Sequence, residues 1–194
     1  TKLRHLVNTP LHILLRRRDL PGIPEAIQNI DEAEVLGVGE VREFQPLQLL
    51  SFDACVRCGR CEEVCPAALS GTKYSPRLFI QGLRTILQNT LVHPQNGNGA
   101  SGRPLSEALG EQSPWDCTTC GACLERCPAF VNPLAEIYDL RRYQALTSGR
   151  LPKGAADTLR NLERQGNPWG MPPEERAAWA EGLGVRELAP GEET

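Results

Sequence analysis

The chain has 194 residues, 40% of them hydrophobic and only 5% aromatic, with 18 glycines and 16 prolines, which indicates a small core and much irregular chain. Its formal net charge of −3 provides no basic field for nucleic acid, so we expect no nucleic-acid partner. No apolar run approaches the ~20 residues of a transmembrane helix and no signal peptide is evident, so we expect no transmembrane helix in this chain.

Residues 1–47 are predicted to form a basic, extended N-terminal arm. Its first 18 residues, "TKLRHLVNTPLHILLRRR", combine basic side chains with leucine, isoleucine and valine, and contain no acid before Asp19. Such a mixture suits an anionic membrane surface or the cytoplasmic end of a transmembrane helix. The alternative is a basic arm that docks on the core of the chain itself. Because the chain begins with Thr1, we interpret it as a processed product or a piece of a longer polypeptide.

Two cysteine runs hold all eight cysteines of the chain: "CVRCGRCEEVCPA" at 55–67 and "CTTCGACLERCPA" at 117–129. Each reads C-x2-C-x2-C-x3-C-P, the bacterial ferredoxin run for a [4Fe–4S] cluster. Disulfide frameworks scatter their cysteines, and a zinc site needs only two C-x2-C pairs, so both of those alternatives leave the spacing unexplained. The runs therefore predict two [4Fe–4S] clusters bound by thiolates in a reducing compartment.

The two runs are copies of one unit, because at an offset of 62 residues they agree at eight of thirteen positions. In two-cluster ferredoxins the fourth cysteine of each run binds the cluster of the other run. We therefore expect one cluster to be bound by Cys55, Cys58, Cys61 and Cys127. We expect the other to be bound by Cys117, Cys120, Cys123 and Cys65. Nearby charges are candidates for tuning the clusters, although most read as solvated surface: Arg57, Arg60, Glu62, Glu63, Glu125 and Arg126.

The segment between the runs is predicted to contain a helix at 75–88, capped by Ser75 with Pro76 in its first turn. Its apolar stripe consists of Leu78, Ile80, Leu83, Ile86 and Leu87. A polar loop is expected at 91–104, since that stretch is rich in glycine and asparagine.

A second helix is predicted after the second run, at 132–149, capped by Asn132 and ended by Gly149. Both runs thus lead into helices, which indicates a mainly α fold. We predict an α-helical ferredoxin with two [4Fe–4S] clusters at 48–149, with extended N- and C-terminal arms.

Residues 150–194 are predicted to form a C-terminal helical arm, or a linker to a partner or following domain. Helices are expected at 153–164 and 173–182, separated by a turn rich in glycine and proline. We interpret Trp169 and Trp179 as packing anchors, with a partner interface as the alternative.

Segments around both runs resemble the small iron–sulfur subunit of heterodisulfide reductase, namely "SPRLFIQGLR", "WDCTTCGAC" and "IYDLRRY". Over nearly its whole length, the chain is similar to the middle segment of membrane-bound Fe–S oxidoreductases related to that enzyme. The most discriminating stretch for this resemblance is "QGNPWG" at 165–170. The resemblance implies a cytochrome-like membrane domain before this segment, a cysteine-rich catalytic domain after it, and a position at the cytoplasmic face of a membrane.

These features predict an electron-transfer segment of a redox complex without catalytic residues of its own. It would pass single electrons between a membrane or flavin-linked centre and a heterodisulfide-reductase-like catalytic partner. The expected partners are a cysteine-rich catalytic subunit or domain, and either a membrane cytochrome-like subunit or domain or a flavoprotein. One alternative is a structural module stapled by metal. Another is the iron–sulfur subunit of a different quinone-linked dehydrogenase, although the [2Fe–2S] domain of such subunits would need cysteines before Cys55.

Overall fold

The computed structural model describes residues 4–16, 26, 27, 29–33, 35–92, 104–110 and 113–185. Regular structure in these residues is entirely helical, which confirms the predicted mainly α class. The α-helices are α1 (Arg4–Leu15), α2 (Pro46–Ala54), α3 (Arg60–Glu63), α4 (Pro66–Leu69), α5 (Pro76–Val92), α6 (Leu105–Ala108), α7 (Ala122–Glu125), α8 (Pro133–Arg142) and α9 (Lys153–Gln165). Short 3-10 segments lie at Val41–Glu43, Pro114–Asp116 and Pro173–Ala180, and a π-helical segment at Tyr143–Thr147 extends α8.

The chain forms two compact units, Thr1–Arg150 and Leu151–Thr194. The first unit contains both cysteine runs. The domain limits that we expected at residues 47 and 149 remain a prediction. Among the described residues, no helix is both long enough and apolar enough to cross a bilayer.

Helix α5 supplies much of the core of the first unit. Ser75 caps it as predicted, since its hydroxyl oxygen accepts a hydrogen bond of 3.1 Å from the Leu78 amide. The predicted stripe is confirmed at four positions, but Leu78 is 44% exposed and Phe79 is buried in its place. At 100° per residue, Leu78 points about 140° away from Leu83, whereas Phe79 lies about 40° from it. The buried residues pack with Phe52 of α2 and with Ile137 and Leu140 of α8 in one hydrophobic cluster.

Helix α8 begins and ends where the sequence indicates. The Asn132 side chain accepts a hydrogen bond of 3.1 Å from the Leu134 amide, and Gly149 adopts a positive φ of 62° after the π-helical segment. The end of α8 is covered by the chain around Gly37, where a Cβ would lie 2.3 Å from the Asp139 carbonyl oxygen. Glycine is required there, because its φ is 90° and it has no side chain to clash. The predicted loop at 91–104 lies mostly outside the described residues, although residues 91 and 92 are still helical.

Helix α1 packs against α2 through polar side chains. Arg4 forms an ion pair with Asp53, and the Thr9 hydroxyl donates a hydrogen bond of 2.7 Å to the Ala54 carbonyl. His12 is buried, and its Nδ1 lies 3.0 Å from the Ala129 carbonyl oxygen. Burial lowers the pKa of His12, so the neutral ring donates this bond. Helix α1 is therefore docked on the core of the chain, while the predicted membrane-proximal role of the arm remains a prediction.

The second unit contains α9, which confirms the helix expected at 153–164. Helix α9 ends at Gly166, which has a positive φ of 67°. The helix expected at 173–182 is present as a 3-10 helix at Pro173–Ala180. Trp169 and Trp179 are 78% and 70% exposed, so the packing role that we predicted for them is wrong.

Glu136 of α8 is a carboxylic acid within the core of the first unit. It is 1% exposed, and its Oε2 has no hydrogen-bond partner among the described residues. Burial, with a smaller contribution from the nearby Asp139 charge, raises the pKa of Glu136 to about 8. The side chain is therefore mostly protonated at neutral pH.

Replacing Glu136 with glutamine should stabilise the protein at alkaline pH. Because the native state raises the pKa from 4.5 to about 8, this group favours folding most below pH 4.5, and that advantage is lost as the pH rises through 8. The amide does not ionise, so at pH 9 Glu136→Gln should exceed the wild type in stability by on the order of 1–3 kcal/mol. The measurement is the anaerobic thermal unfolding midpoint from pH 6 to 9, with the exposed Glu163→Gln as control. Parallel pH profiles for wild type and Glu136→Gln would contradict this assignment.

Candidate cluster-binding site

The two cysteine runs fold alike. In each, the second of the two residues between the first two cysteines has a positive φ, 59° for Arg57 and 54° for Thr119. In each, a glycine in the left-handed conformation then precedes a short helix, with a φ of 84° at Gly59 before α3 and 80° at Gly121 before α7. A side chain would be strained at these two glycines, which explains why both copies of the repeat have glycine there.

The first thiol group consists of Cys55, Cys58, Cys61 and Cys127, which together line one cavity. Three of these cysteines come from the first run, and the fourth is the last cysteine of the second run. Burial raises the pKa of the Cys61 thiol to about 12, and the neighbouring Cys55 and Cys127 add to this shift. The fold thus brings Cys127 to the cavity that the first run lines.

The second thiol group consists of Cys65, Cys117, Cys120 and Cys123. Burial raises the pKa of the Cys123 thiol to about 12, with further contributions from the other three members of this group. Cys61 of the first group also contributes. The two groups adjoin there, because α3, which contains Cys61, packs against α7, which contains Cys123. By contrast, Cys58 of the first group and Cys120 of the second are exposed.

The donor set of each group suits a cluster. Thiols that raise one another's pKa can all ionise only when positively charged metal compensates for their charge. No three His, Cys, Asp or Glu side chains in the described parts of the chain are arranged to hold a single metal ion. A [4Fe–4S] cubane needs an arrangement of ligands that differs from that of a single metal ion, because each of its four cysteines binds a different iron.

Backbone amides point at one sulfur in each group. The Thr119 amide donates to Cys117 Sγ and the Val131 amide donates to Cys127 Sγ, both at 3.3 Å. Each bond lowers the pKa of its thiol, against the larger opposing effect of burial. Such bonds favour the charged sulfur and so tune the potential of a bound cluster.

Arg141 is a supporting residue that sequence reasoning missed. Its guanidinium donates to the Pro114 carbonyl at 2.7 and 3.0 Å and to the Cys117 carbonyl at 2.5 Å, which fixes the entry to the second run. Only the tertiary fold brings it there, from 24 residues further along the chain. Among the charged candidates, Glu62 pairs with Arg77 at 2.5 Å and so ties α3 to α5. The remaining five are exposed, as expected for solvated surface charge.

Tyr74, in the loop before α5, is a second residue that the sequence did not reveal. It is 1% exposed, and its hydroxyl has no partner in hydrogen-bond geometry. Burial raises the pKa of Tyr74, and Cys117, Cys123 and Cys65 raise it further. The hydroxyl therefore lies beside the second thiol group, with Cys117 as the thiol that affects it most.

Comparison with known proteins identifies the domain that contains the two cysteine runs. Residues 48–128 match the family described as a 4Fe-4S dicluster domain. Its homologues include heterodisulfide reductase subunits and related iron–sulfur oxidoreductases, and the chain contains a 4Fe-4S dicluster domain. Its dicluster domain binds two [4Fe–4S] clusters, which confirms the predicted cofactors.

Three relatives illustrate the similarity. The EtfAB:quinone oxidoreductase of Syntrophomonas wolfei is 32% identical over 97% of this chain and 29% of its own length. A probable iron-sulfur-binding oxidoreductase, FadF, of Bacillus subtilis is 32% identical over 92% of this chain and 30% of its own. One of the subunits of the dihydromethanophenazine:CoB–CoM heterodisulfide reductase of Methanosarcina barkeri is 32% identical over 72% of this chain and 35% of its own. The chain therefore spans about a third or less of the length of these relatives.

Proposed function

We propose that this chain is the electron-transfer segment of a membrane-linked redox complex. It passes single electrons between a membrane or flavin-linked centre and a cysteine-rich, heterodisulfide-reductase-like catalytic domain or subunit. When bound, each [4Fe–4S] cluster takes up and releases one electron. The observation that carries the proposal is the adjacency of the two thiol groups at Cys61 and Cys123, since electron transfer between centres requires proximity.

We assign one cluster to the first thiol group and the other to the second, so each run supplies the fourth ligand of its neighbour. The cavity shared by Cys127 with Cys55, Cys58 and Cys61 supports the first assignment. The effect of Cys65 on the thiols of Cys117 and Cys123 supports the second. Because Cys58 and Cys120 are the exposed members of their groups, we assign electron entry and exit to the edges at these two cysteines.

The partners follow from the relatives and from α1. One relative is named a probable membrane-anchored ferredoxin, in Chromohalobacter salexigens, and is 34% identical over 83% of this chain. The name of another specifies EtfAB and quinone. By analogy, we propose that the donor side is a membrane cytochrome-like domain or a flavoprotein, and that the chain works at the cytoplasmic face of the membrane.

The exposed face of α1 supports contact with the membrane surface. The polar side chains of α1 contact the core of the chain. Its opposite, exposed face is apolar and consists of Leu6, Val7, Pro10, Leu11, Leu14 and Leu15. Leu14, for example, is 79% exposed. An amphipathic helix with basic residues at its ends binds anionic bilayers in this way.

The function is tested by iron and acid-labile sulfide analysis of protein purified without oxygen, followed by EPR after dithionite reduction. About eight irons and eight sulfides per chain, with a spin-coupled signal from two reduced cubanes, are expected. Zinc without sulfide would instead support the metal-stapled structural module, and the electron-transfer proposal would fail.

If each run supplies the fourth ligand to the cluster of the other run, mutation of that cysteine should affect the cluster of the other run. Cys65→Ser should perturb the EPR signal of the cluster bound by Cys117, Cys120 and Cys123, although those ligands lie more than 50 residues away in the sequence. Cys127→Ser should perturb the other cluster. The matched controls are Cys120→Ser and Cys58→Ser, which identify the signal of the second and first cluster respectively. A Cys65→Ser spectrum that matches Cys58→Ser rather than Cys120→Ser would refute the assignment.

Membrane contact predicts a loss of vesicle binding when the outer face of α1 becomes polar. Leu6→Gln/Leu14→Gln should reduce flotation with vesicles that contain anionic lipid by at least about tenfold, because burying each leucine is worth about 1.5–3 kcal/mol. The matched control is Leu159→Gln/Leu162→Gln, which changes two exposed leucines of α9. Equal flotation of the two double variants would show that α1 does not contact the bilayer.

A further inference from the structure

The Tyr74 hydroxyl is the only buried hydroxyl among the described residues that has no hydrogen-bond partner. Leaving such a group unpaired costs about 1–3 kcal/mol. Its ring is held firmly, 5.9 Å from the Phe79 ring in the core beneath α5, so the hydroxyl cannot turn out to solvent. A buried donor that is fixed in place requires an acceptor, and the Cys117 sulfur is the one that the hydroxyl faces.

The surroundings of Tyr74 identify that acceptor. Three members of the second thiol group, Cys117, Cys123 and Cys65, act on the hydroxyl, and Cys117 is foremost among them. A phenol is protonated at neutral pH, so beside thiolates it can only act as a donor.

We propose that Tyr74 donates its hydroxyl hydrogen to a sulfur of the second cluster, and thereby raises the reduction potential of that cluster above the value it would otherwise have. This inference rests on the proposed function. A hydrogen bond to sulfur stabilises the reduced cluster more than the oxidised one, because the reduced cluster carries one more negative charge. No covalent bond changes, and the phenol keeps its proton while the cluster gains or loses its electron.

The two thiol groups differ in the hydrogen-bond donors that surround them. The Cys127 sulfur of the first group accepts from the Val131 and Ala129 amides, and the Cys117 sulfur of the second group accepts from the Thr119 amide. Each group also has an arginine nearby. Arg77 lines the first cavity but is paired with Glu62, and Arg141 is held by backbone carbonyls at the second. The Tyr74 hydroxyl is an additional donor at the second group, so it biases the electron towards the edge at Cys120.

The test is Tyr74→Phe, which removes only the hydroxyl and keeps the ring in the core. In EPR-monitored redox titrations, the midpoint of the second cluster should fall. We expect the ratio of reduced to oxidised second cluster at fixed potential to fall by up to about tenfold, which is 59 mV for a one-electron couple. The midpoint of the first cluster should not move. Tyr138→Phe, a half-buried tyrosine on α8, is the matched control and should shift neither midpoint.

A second measurement detects the hydrogen bond itself and does not rely on the midpoints. After exchange into D2O, pulsed EPR of the reduced wild-type protein should show a deuteron coupled to the second cluster that is missing in Tyr74→Phe. Two intact clusters with unchanged midpoints and no lost deuteron signal would overturn this inference and leave the electron-transfer proposal standing. Absence of redox-active clusters in the wild type would instead refute the proposed function itself.

Discussion

Four thiols packed together can lose their protons only if positive charge is placed between them, and this constraint acts twice in the chain. The pKa of Cys61 and the pKa of Cys123 are both raised to about 12 by burial and by the neighbouring cysteines. Bound iron offsets the free-energy cost of ionising these buried thiols, so assembly of the clusters and stability of the fold are linked. Because we assign the fourth ligand of each cluster to the other run, binding of iron at either group would hold both runs together.

The remaining structure positions these two groups. Left-handed glycines before α3 and α7 turn each run back on itself, and α5 supplies the core against which the runs pack. Arg141 fixes the entry to the second run, while the bond between His12 and the Ala129 carbonyl joins α1 to the segment that follows Cys127. On our assignment, α1 is therefore attached next to a ligand of the first cluster. That connection places the first cluster nearer to the helix that we propose contacts the membrane.

Local patterns allowed much of the fold to be predicted. The caps at Ser75 and Asn132 and the grouping of the cysteines follow from short motifs and from one internal repeat. Features that depend on distant contacts were not accessible. Nothing in the local sequence indicates that Arg141 reaches the Cys117 carbonyl, or that the Tyr74 hydroxyl is left unpaired beside the second group. The sequence of α1 suggested two alternatives, an arm near a membrane surface or an arm docked on the core of the chain, and its polar inner face with an apolar outer face accommodates both.

The central claim is that each cysteine run completes the cluster of the other. The most direct test is a crystal structure of the anaerobic protein with anomalous data collected at the iron absorption edge, which locates both clusters and their ligands. We predict iron bound by Cys127 together with Cys55, Cys58 and Cys61, and a second cluster bound by Cys65 with Cys117, Cys120 and Cys123. Two clusters that each use the four cysteines of a single run would contradict it.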